Sequence, residues 1–257
     1  MPKKLTVKEV KEKLKVIKDS NSDFFQSCLN DDRKGVQKAV QQWQRKQLAK
    51  KELTDRFERM NQYEQEAKEA GYLLVAGIDE VGRGPLAGPV VSAAVILDEM
   101  HPIIGLDDSK KLSLKKRELL FEEVQEKAIG IGIGLVDSQG IDQHNILGAT
   151  KIAMQKAVNH LNKKVDYLLI DAVDLKNNLP AKVMNQGDTK SNSIAAASII
   201  AKVTRDKMMQ DYAKIYPGYG FENNAGYGTK EHLNGLKDLG PCPIHRYSFA
   251  PVRKHSK

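Results

Sequence analysis

Two adjacent carboxylates, those of Asp79 and Glu80, follow an apolar run that begins at Leu73. Such a run is typical of a strand that is buried on both faces. Two acids at its end are costly unless a cation lies beside them, and hard divalent cations prefer oxygen ligands. The pair therefore indicates a metal site. Because consecutive strand side chains point to opposite faces, we expect the chain to leave strand geometry near residue 80, so that both acids reach the metal.

Two further acids stand where they can complete this site. Asp171 ends a second apolar run, 168–170, and ligands of open α/β sheets collect beyond the carboxyl ends of the strands. Asp188 lies in a predicted turn just before a long helix. It can serve there as a metal ligand or as an anion at the helix N-terminus, and both interpretations stay open.

A glycine-rich segment, 82–88, follows the first two acids and holds Arg83 between Gly82 and Gly84. A dinucleotide fingerprint needs the spacing G-x-G-x-x-G at the start of a helix, whereas the spacing here is G-x-G-x-x-x-G with a proline inside. The phosphate-loop ending Gly-Lys-Ser/Thr is absent from the segment. Glycine lets backbone amides approach a ligand closely, so the segment indicates contact with a polyanion other than a nucleotide cofactor.

The chain of 257 residues carries a net charge of +8, and residues 1–70 contribute +5 of it from 17 basic and 12 acidic side chains. This excess is compatible with a nucleic-acid partner but does not require one. No apolar stretch has the length of a membrane span, and the two cysteines, Cys28 and Cys242, form no CxxC motif. We expect a cytoplasmic monomer that makes no membrane contact.

The composition changes near residue 71, which predicts a helical N-terminal extension, 1–71, and a main domain, 72–257. In the extension, apolar residues recur at helical spacing in 5–17, in 36–48 and in 53–70, while 21–32 is predicted to be a break. Gly71 is expected to end the last helix. A partly solvated helical arm is the alternative interpretation.

The pattern after residue 72 is that of an α/β fold. Strands are predicted at 72–79, 90–97, 129–135, 167–171 and 181–184. Helices are predicted at 114–127, 145–161, 192–213 and 229–238, with Ser113 and Thr229 before the first and last of them.

Several long motifs of this part resemble those of the bacterial ribonuclease HII family. They are 77–88, 108–113, 169–171, 187–188, 193–206, 226–229 and 245–249. The resemblance implies a ribonuclease H-like mixed β-sheet flanked by helices. It also implies an endoribonuclease that cleaves the RNA strand of RNA–DNA hybrids, including 5′ of single ribonucleotides in duplex DNA.

The family's functional residues can be carried over position by position. The metal-binding catalytic acids match Asp79, Glu80, Asp171 and Asp188. The loop that senses the ribose 2′-hydroxyl at the RNA–DNA junction matches Gly82, Arg83 and Gly84, and the tyrosine that stacks near the junction matches Tyr227. Gly228 departs from the proline that the family commonly has after this tyrosine.

Four carboxylates around two Mg²⁺ or Mn²⁺ ions would support two-metal hydrolysis that leaves 5′-phosphate and 3′-hydroxyl ends. Lys110, Lys111 and Lys190 are expected to contact phosphates and so to position the duplex without specifying its sequence. An exposed lead-in to a helix is the alternative for the first two. Two other classes stay open: a carboxylate–metal nuclease of the same fold that acts on DNA, and a catalytically silent nucleic-acid-binding module.

Overall fold

The structure is a computed structural model that describes residues 5–175 and 177–255. Its internal contacts divide the chain into two compact units, Met1–Arg56 and Phe57–Lys257. The ends of the two predicted domains, residues 1–4 and 256–257, lie outside the described residues. No helix of the described part is long and apolar enough to cross a membrane.

The smaller unit is helical. It contains α1 (Val7–Val16), α2 (Asp23–Leu29) and the first part of α3 (Lys34–Met60). The prediction of a break over 21–32 is wrong, because α2 forms inside it. The hydroxyl of Ser22 accepts the N–H of Phe25 and so caps α2, and Phe25 and Cys28 are buried in the core of this unit.

The larger unit contains a mixed five-stranded sheet. Its helices are α4 (Gln62–Glu69), α5 (Leu114–Lys127), α6 (Ser138–Asn159), α7 (Asn192–Ile215), α8 (Phe221–Asn224), α9 (Lys230–Leu239) and α10 (Ala250–Arg253), and its strands are β1 (Val75–Val81), β2 (Val90–Ile96), β3 (Gly130–Val136), β4 (Tyr167–Asp171) and β5 (Ala181–Met184). The strand order is β3-β2-β1-β4-β5. β1 pairs antiparallel with β2 and parallel with β4, which confirms the predicted fold class and places β1 at the centre.

Helices cover both faces of the sheet. Met154 and Ala157 of α6 pack on one face, and Leu120 of α5 and the alanine-rich start of α7 pack on the other. Gly77 of β1 allows α7 to come very close, since a Cβ there would lie 2.1 Å from the backbone of Ser193. This close approach holds the end of β1 beside the segment that leads into α7.

The largest differences from the predicted helix boundaries are in α6 and α3. α6 begins at Ser138, seven residues earlier than expected, because the Asp137 side chain accepts the N–H of Gly140 and caps it. Its regular geometry is interrupted at Asn145 (φ 54°, ψ 169°), where the predicted helix was to begin. In the N-terminal part, α3 is one continuous helix to Met60, where two separate helical stretches, 36–48 and 53–70, were predicted.

A buried carboxylate attaches α4 to the start of α7. Oε1 of Glu64 accepts hydrogen bonds from the Ser191 hydroxyl at 2.6 Å and from the Ser193 hydroxyl and N–H at 2.7 and 2.9 Å. An anion at a helix N-terminus is favoured by the helix dipole and by the free N–H groups there. The contact fixes the start of α7, just after the turn that carries Asp188.

Candidate active site

Asp79 and Asp171 lie where the parallel pairing of β1 with β4 ends. The register pairs Ile78 of β1 with Ile170 of β4, so the next residue of each strand points to the same face of the sheet. Asp79 is 6% exposed. The structure thus brings these two predicted site residues together.

A short 3₁₀ turn, Gly187–Thr189, carries Asp188 to the same place. The N–H of Gly187 donates to Oδ1 of Asp171 at 2.7 Å. Gln186, just before the turn, has left-handed backbone geometry (φ 55°). Because Asp171 holds the turn directly, the positions of Asp171 and Asp188 are coupled.

Glu80 joins the group from a regular strand, so the expectation that the chain leaves strand geometry near residue 80 is wrong. β1 stays paired with β2 through Glu80 opposite Ser92 and Val81 opposite Val91. Beyond Ile78, β1 has no further pairing with β4, which leaves room at that edge for the longer glutamate side chain. The Glu80 carboxylate accepts a hydrogen bond from Nη1 of Arg83 at 3.3 Å.

Burial and neighbouring carboxylates raise the pKa values of Asp79, Glu80 and Asp188. Burial raises the pKa of Asp79 well above its usual range, and the charges of Glu80 and Asp171 add to the effect. Burial likewise raises the pKa of Glu80, which Arg83 opposes and Asp171 reinforces. Burial raises the pKa of Asp188 to about 6, together with the charges of Asp108 and Asp171. The site therefore concentrates carboxyl groups whose charge Arg83 and Lys110 neutralise only in part.

Asp108 is an additional acid that the sequence reasoning did not select. Its charge and a hydrogen bond to Asp188 raise the pKa of Asp188. The loop that carries it is anchored to α7, because the buried hydroxyl of Ser198 donates to that of Ser109 at 2.8 Å. The signal that could have found Asp108 is its place in the 108–113 motif, from which only the two lysines were selected.

The three predicted phosphate-contacting lysines have different surroundings. The charge of Lys110 lowers the pKa of both Glu80 and Asp188, so Lys110 lies at the acid group. Lys111 is exposed beside it. Lys190 is also exposed, and its Nζ donates to the carbonyl of Asn185 at 2.8 Å.

The acid group is chemically suited to hard divalent cations. All of its donors are carboxylate oxygens, and the buried Oε2 of Glu80 has no hydrogen-bond partner within the described part of the chain. Among the described residues, no three His, Cys, Asp or Glu side chains are already arranged as a metal cluster. Asp79 and Asp171 each direct one oxygen at a backbone N–H instead.

The glycine-rich loop lies beside Tyr227. A Cβ on Gly84 would stand 3.5 Å from the Tyr227 ring, and the N–H of Leu86 donates to the carbonyl of Gly226 at 2.8 Å. Gly82 has a positive φ of 95°, while Arg83 and Gly84 are exposed. Residues far apart in sequence therefore form one surface next to the acids.

Two buried histidines support the backbone of Tyr227. Nδ1 of His232 lies 2.9 Å from the Tyr227 carbonyl, and Nε2 of His232 lies 2.9 Å from Nε2 of His245. Nδ1 of His245 accepts the N–H of Cys242. One assignment satisfies these three contacts: His232 carries its proton on Nδ1, His245 carries its proton on Nε2, and both rings are neutral. Nδ1 of His245 also lies 3.2 Å from the Cys242 carbonyl, to which it donates no proton in this assignment.

This pair predicts a loss of stability in acid. Burial, together with His232, lowers the pKa of His245 to about 4, against about 6.5 in an unfolded chain. A lowered pKa means that the unfolded chain takes up the proton first, so the contribution is complete above pH 6.5 and is lost as the pH falls towards 4. We expect a loss of up to about 2 kcal/mol between pH 7 and pH 5.

Urea unfolding of the wild type and of His245→Gln at both pH values measures this contribution. The free energy of unfolding of the variant should fall less over that interval, because it lacks the titrating ring. A matched replacement of the exposed His144, His144→Gln, should leave the pH dependence as in the wild type. Equal pH dependence in His245→Gln and the wild type would contradict the assignment.

Comparison with known proteins identifies the family. The sequence model of ribonuclease HII matches residues 76–252, and that of the ribonuclease HII N-terminal domain matches residues 6–68. The chain belongs to the ribonuclease HII family. It is similar to a ribonuclease HII of Enterococcus faecalis, with 54% identity over 97% of this chain and 98% of that one.

Solved structures agree with this assignment. Ribonuclease H2 of Pyrococcus horikoshii superposes with a TM-score of 0.61 and 29% identity, over 71% of this chain and 97% of that one. Bst-RNase HIII, solved in complex with Mn²⁺, has a TM-score of 0.54 and 19% identity, over 74% of this chain and 71% of that one, which shows a shared fold.

Membership of the ribonuclease HII family confirms the expected class of enzyme. The chain is a hydrolytic endoribonuclease of the kind that acts on RNA–DNA hybrids, and ribonucleases H depend on divalent metal ions as a family. The ribonuclease H-like fold predicted from the motifs is also confirmed.

Proposed function

We propose that this member of the ribonuclease HII family hydrolyses the RNA strand of RNA–DNA hybrids and also cleaves 5′ of single ribonucleotides embedded in duplex DNA. The observation that carries the proposal is that the acid group and the glycine-rich loop are adjacent. The acid group at the ends of β1 and β4 lies directly beside the exposed loop of Arg83 and Gly84, and Tyr227 flanks that loop. The acid group can therefore hydrolyse the phosphodiester bond next to the ribose that the loop recognises.

Asp79, Glu80, Asp171 and Asp188 are proposed as the metal-binding catalytic residues. Two Mg²⁺ or Mn²⁺ ions would supply Lewis-acid activation of the phosphate and lower the pKa of the attacking water. The carboxylates orient and neutralise these ions, and Asp171 keeps Asp188 in place through Gly187. The products are a 5′-phosphate and a 3′-hydroxyl.

The loop and its surroundings are proposed to recognise the substrate. The 2′-hydroxyl distinguishes RNA from DNA at a single position, and the backbone of Gly82, Arg83 and Gly84 can bond it. Tyr227 offers a ring on which a base or sugar stacks. Lys110, Lys111 and Lys190 contact phosphates, and Lys110 is nearest to the acids.

Cleavage mapping tests the proposal. A DNA duplex with one central ribonucleotide, its all-deoxy counterpart and a continuous hybrid are incubated with Mg²⁺, with Mn²⁺ or with EDTA. We expect a single cut 5′ of the ribonucleotide, cuts along the hybrid, and none with EDTA. Cutting of the all-deoxy duplex would favour a DNA nuclease of the same fold. Binding without cutting in either metal would favour a silent binding module.

Replacing Arg83 by alanine is expected to reduce cleavage selectively at a single embedded ribonucleotide. Arg83 is exposed beside Glu80, where it can hold the phosphate next to the one ribose available for recognition. A continuous hybrid can bind in many equivalent positions along its length, so the kcat/KM for its cleavage should fall less. We expect roughly a tenfold greater loss of kcat/KM on the single-ribonucleotide duplex, equivalent to about 1.4 kcal/mol.

The exposed Arg253→Ala, in α10, is the matched control and should affect neither substrate. An equal loss on both substrates in Arg83→Ala would make Arg83 a general phosphate contact instead.

The N-terminal extension is proposed as a separate helical module of a monomeric, cytoplasmic enzyme. Its net charge of +5 supports contact with the substrate, while docking of a protein partner and simple stabilisation are the alternatives. A deletion that separates them should end at residue 56, because Glu64 belongs to the buried contacts of the larger unit. A weaker salt dependence of hybrid affinity after the deletion would support phosphate contacts.

Both cysteines are free and buried, in keeping with a reducing compartment.

A further inference from the structure

Two arginines are completely buried in this enzyme. Arg205 and Arg246 are each 0% exposed, and neither forms an ion pair with a carboxylate in the part of the chain that the structure describes. Burial lowers the pKa of Arg246 to about 9 and that of Arg205 to about 10. Burying a cation costs several kcal/mol unless its surroundings compensate. Here the compensation comes from backbone carbonyl groups.

Arg246 binds carbonyls at both ends of the glycine-rich loop. Its Nη2 donates to the carbonyl of Gly82 at 2.6 Å, and its Nη1 donates to that of Arg83 at 3.0 Å. Nε and Nη2 donate to the carbonyl of Gly88 at 3.0 and 2.9 Å. The guanidinium also lies over the ring of Phe249, 5.2 Å from its centroid. One side chain thus fixes three peptide groups of the loop.

These contacts determine where the loop's N–H groups point. In a trans peptide the C=O and N–H directions are opposed, and the described chain has no cis peptide. Because the carbonyls of Gly82 and Arg83 point inward to Arg246, the N–H groups of Arg83 and Gly84 point away from it. Neither N–H has a hydrogen-bond acceptor within the described residues, and both residues are exposed beside Tyr227.

We propose that Arg246 is a positioning residue that directs the N–H groups of Arg83 and Gly84 at the 2′-oxygen of the substrate, and so sets the preference for ribose over deoxyribose. The inference rests on the proposed function. Peptides flanked by glycine rotate easily, so the loop needs an external constraint to keep two adjacent donors on one side. A guanidinium suits this task because its donors form a rigid, planar fork.

Arg205 provides a matched comparison. It holds the other half of the same loop, with Nε on the Pro89 carbonyl at 2.9 Å and Nη2 on the Ala87 carbonyl at 3.1 Å. Its Nη1 donates to the Ala225 carbonyl at 2.8 Å. Arg205 is as buried as Arg246 and has as many carbonyl partners, but it holds neither of the two peptides whose N–H groups face outward.

The test compares Arg246→Lys with Arg205→Lys. Each variant keeps the charge, but a single ammonium cannot replace the fork. The probe is a short DNA duplex with one ribonucleotide and its all-deoxy counterpart, and affinity is measured by fluorescence anisotropy in EDTA, so that no cleavage occurs. The ribose preference is the ratio of the affinities for the two duplexes. We expect this ratio to fall about tenfold in Arg246→Lys, because the variant binds the ribonucleotide duplex more weakly and the all-deoxy duplex as the wild type does. Arg205→Lys should keep the preference even if it is equally destabilised.

Equal preferences in Arg246→Lys and the wild type, or equal losses in both variants, would overturn the inference. If the wild type itself shows no ribose preference, the proposed function fails. If Arg246→Lys does not fold, NMR of the wild type decides: the amide signals of Arg83 and Gly84 should shift with the ribonucleotide duplex and not with the all-deoxy one. Identical shifts with both duplexes would contradict the proposal.

Discussion

Asp79→Asn is expected to reduce cleavage by roughly a thousandfold or more, about 4 kcal/mol of transition-state stabilisation, while hybrid binding survives. Asparagine preserves the shape of the side chain and can still accept the Glu80 N–H. It removes one of the charges that would hold the metal ions between β1 and β4. Single-turnover cleavage in Mg²⁺ and hybrid affinity in EDTA measure the two properties separately.

The same substitution should also stabilise the metal-free protein. Asp79 is buried among carboxylates that raise its pKa, so a neutral amide removes repulsion. We expect the melting temperature in EDTA to rise by about 3 °C, the shift that about 1 kcal/mol produces in a chain of this size. The control is Asp211→Asn, because Asp211 is an exposed residue of α7 that pairs with Lys214 on the surface. Robust cleavage by Asp79→Asn would eliminate Asp79 as a metal ligand.

Gly82→Ala is expected to destabilise the protein by about 3 kcal/mol. Gly82 has a φ of 95°, a conformation that costs an L-residue about 1–2 kcal/mol. A Cβ there would also lie 2.4 Å from Nε of Arg205 and 2.7 Å from the Pro89 carbonyl, and overpacking of this kind adds about 1–3 kcal/mol. Because Gly82 carries the carbonyl to which Arg246 donates at 2.6 Å, the strain should distort the loop itself, and cleavage should fall on every substrate. Chemical denaturation and cleavage assays measure both effects.

Gly84→Ala is the matched substitution two residues away. Its Cβ would make only an ordinary contact, 3.5 Å from the Tyr227 ring, and its backbone is not left-handed. We expect a stability within about 0.5 kcal/mol of the wild type, with any loss of cleavage confined to the ribonucleotide junction. If the two variants were equally destabilised, the strain assigned to Gly82 would be wrong.

The grouping of Asp79 with Asp171 could be predicted because the signal is local, although β1 does not end at Asp79 as predicted but continues to Val81. An apolar run followed by an acid defines both the strand and its polar end, and parallel pairing then brings the two ends together. The sheet and the long helices followed from the same periodicity. The errors were also local in origin. α2 was missed because a cap at Ser22 and two buried residues outweighed a polar composition.

The place of Glu80 could not be derived in this way. Alternation along a strand is a sound rule, and the structure obeys it. What decides the outcome is that β1 extends beyond its pairing with β4, so that a longer side chain can enter the site from the other face of the strand. The extent of pairing between two strands depends on the neighbouring strand and is not written in the residues of β1.

The sequence by itself determined the type of chemistry. Acids at the ends of buried strands, a glycine-framed arginine and the motifs of the ribonuclease HII family are all contained in short segments. Only the tertiary structure showed how the loop is held. Arg246 and Gly82 are 164 residues apart, and the acceptors are backbone carbonyls, which every residue possesses. A contact between a distant side chain and the main chain leaves no pattern of residue types, and so its geometry had to be observed.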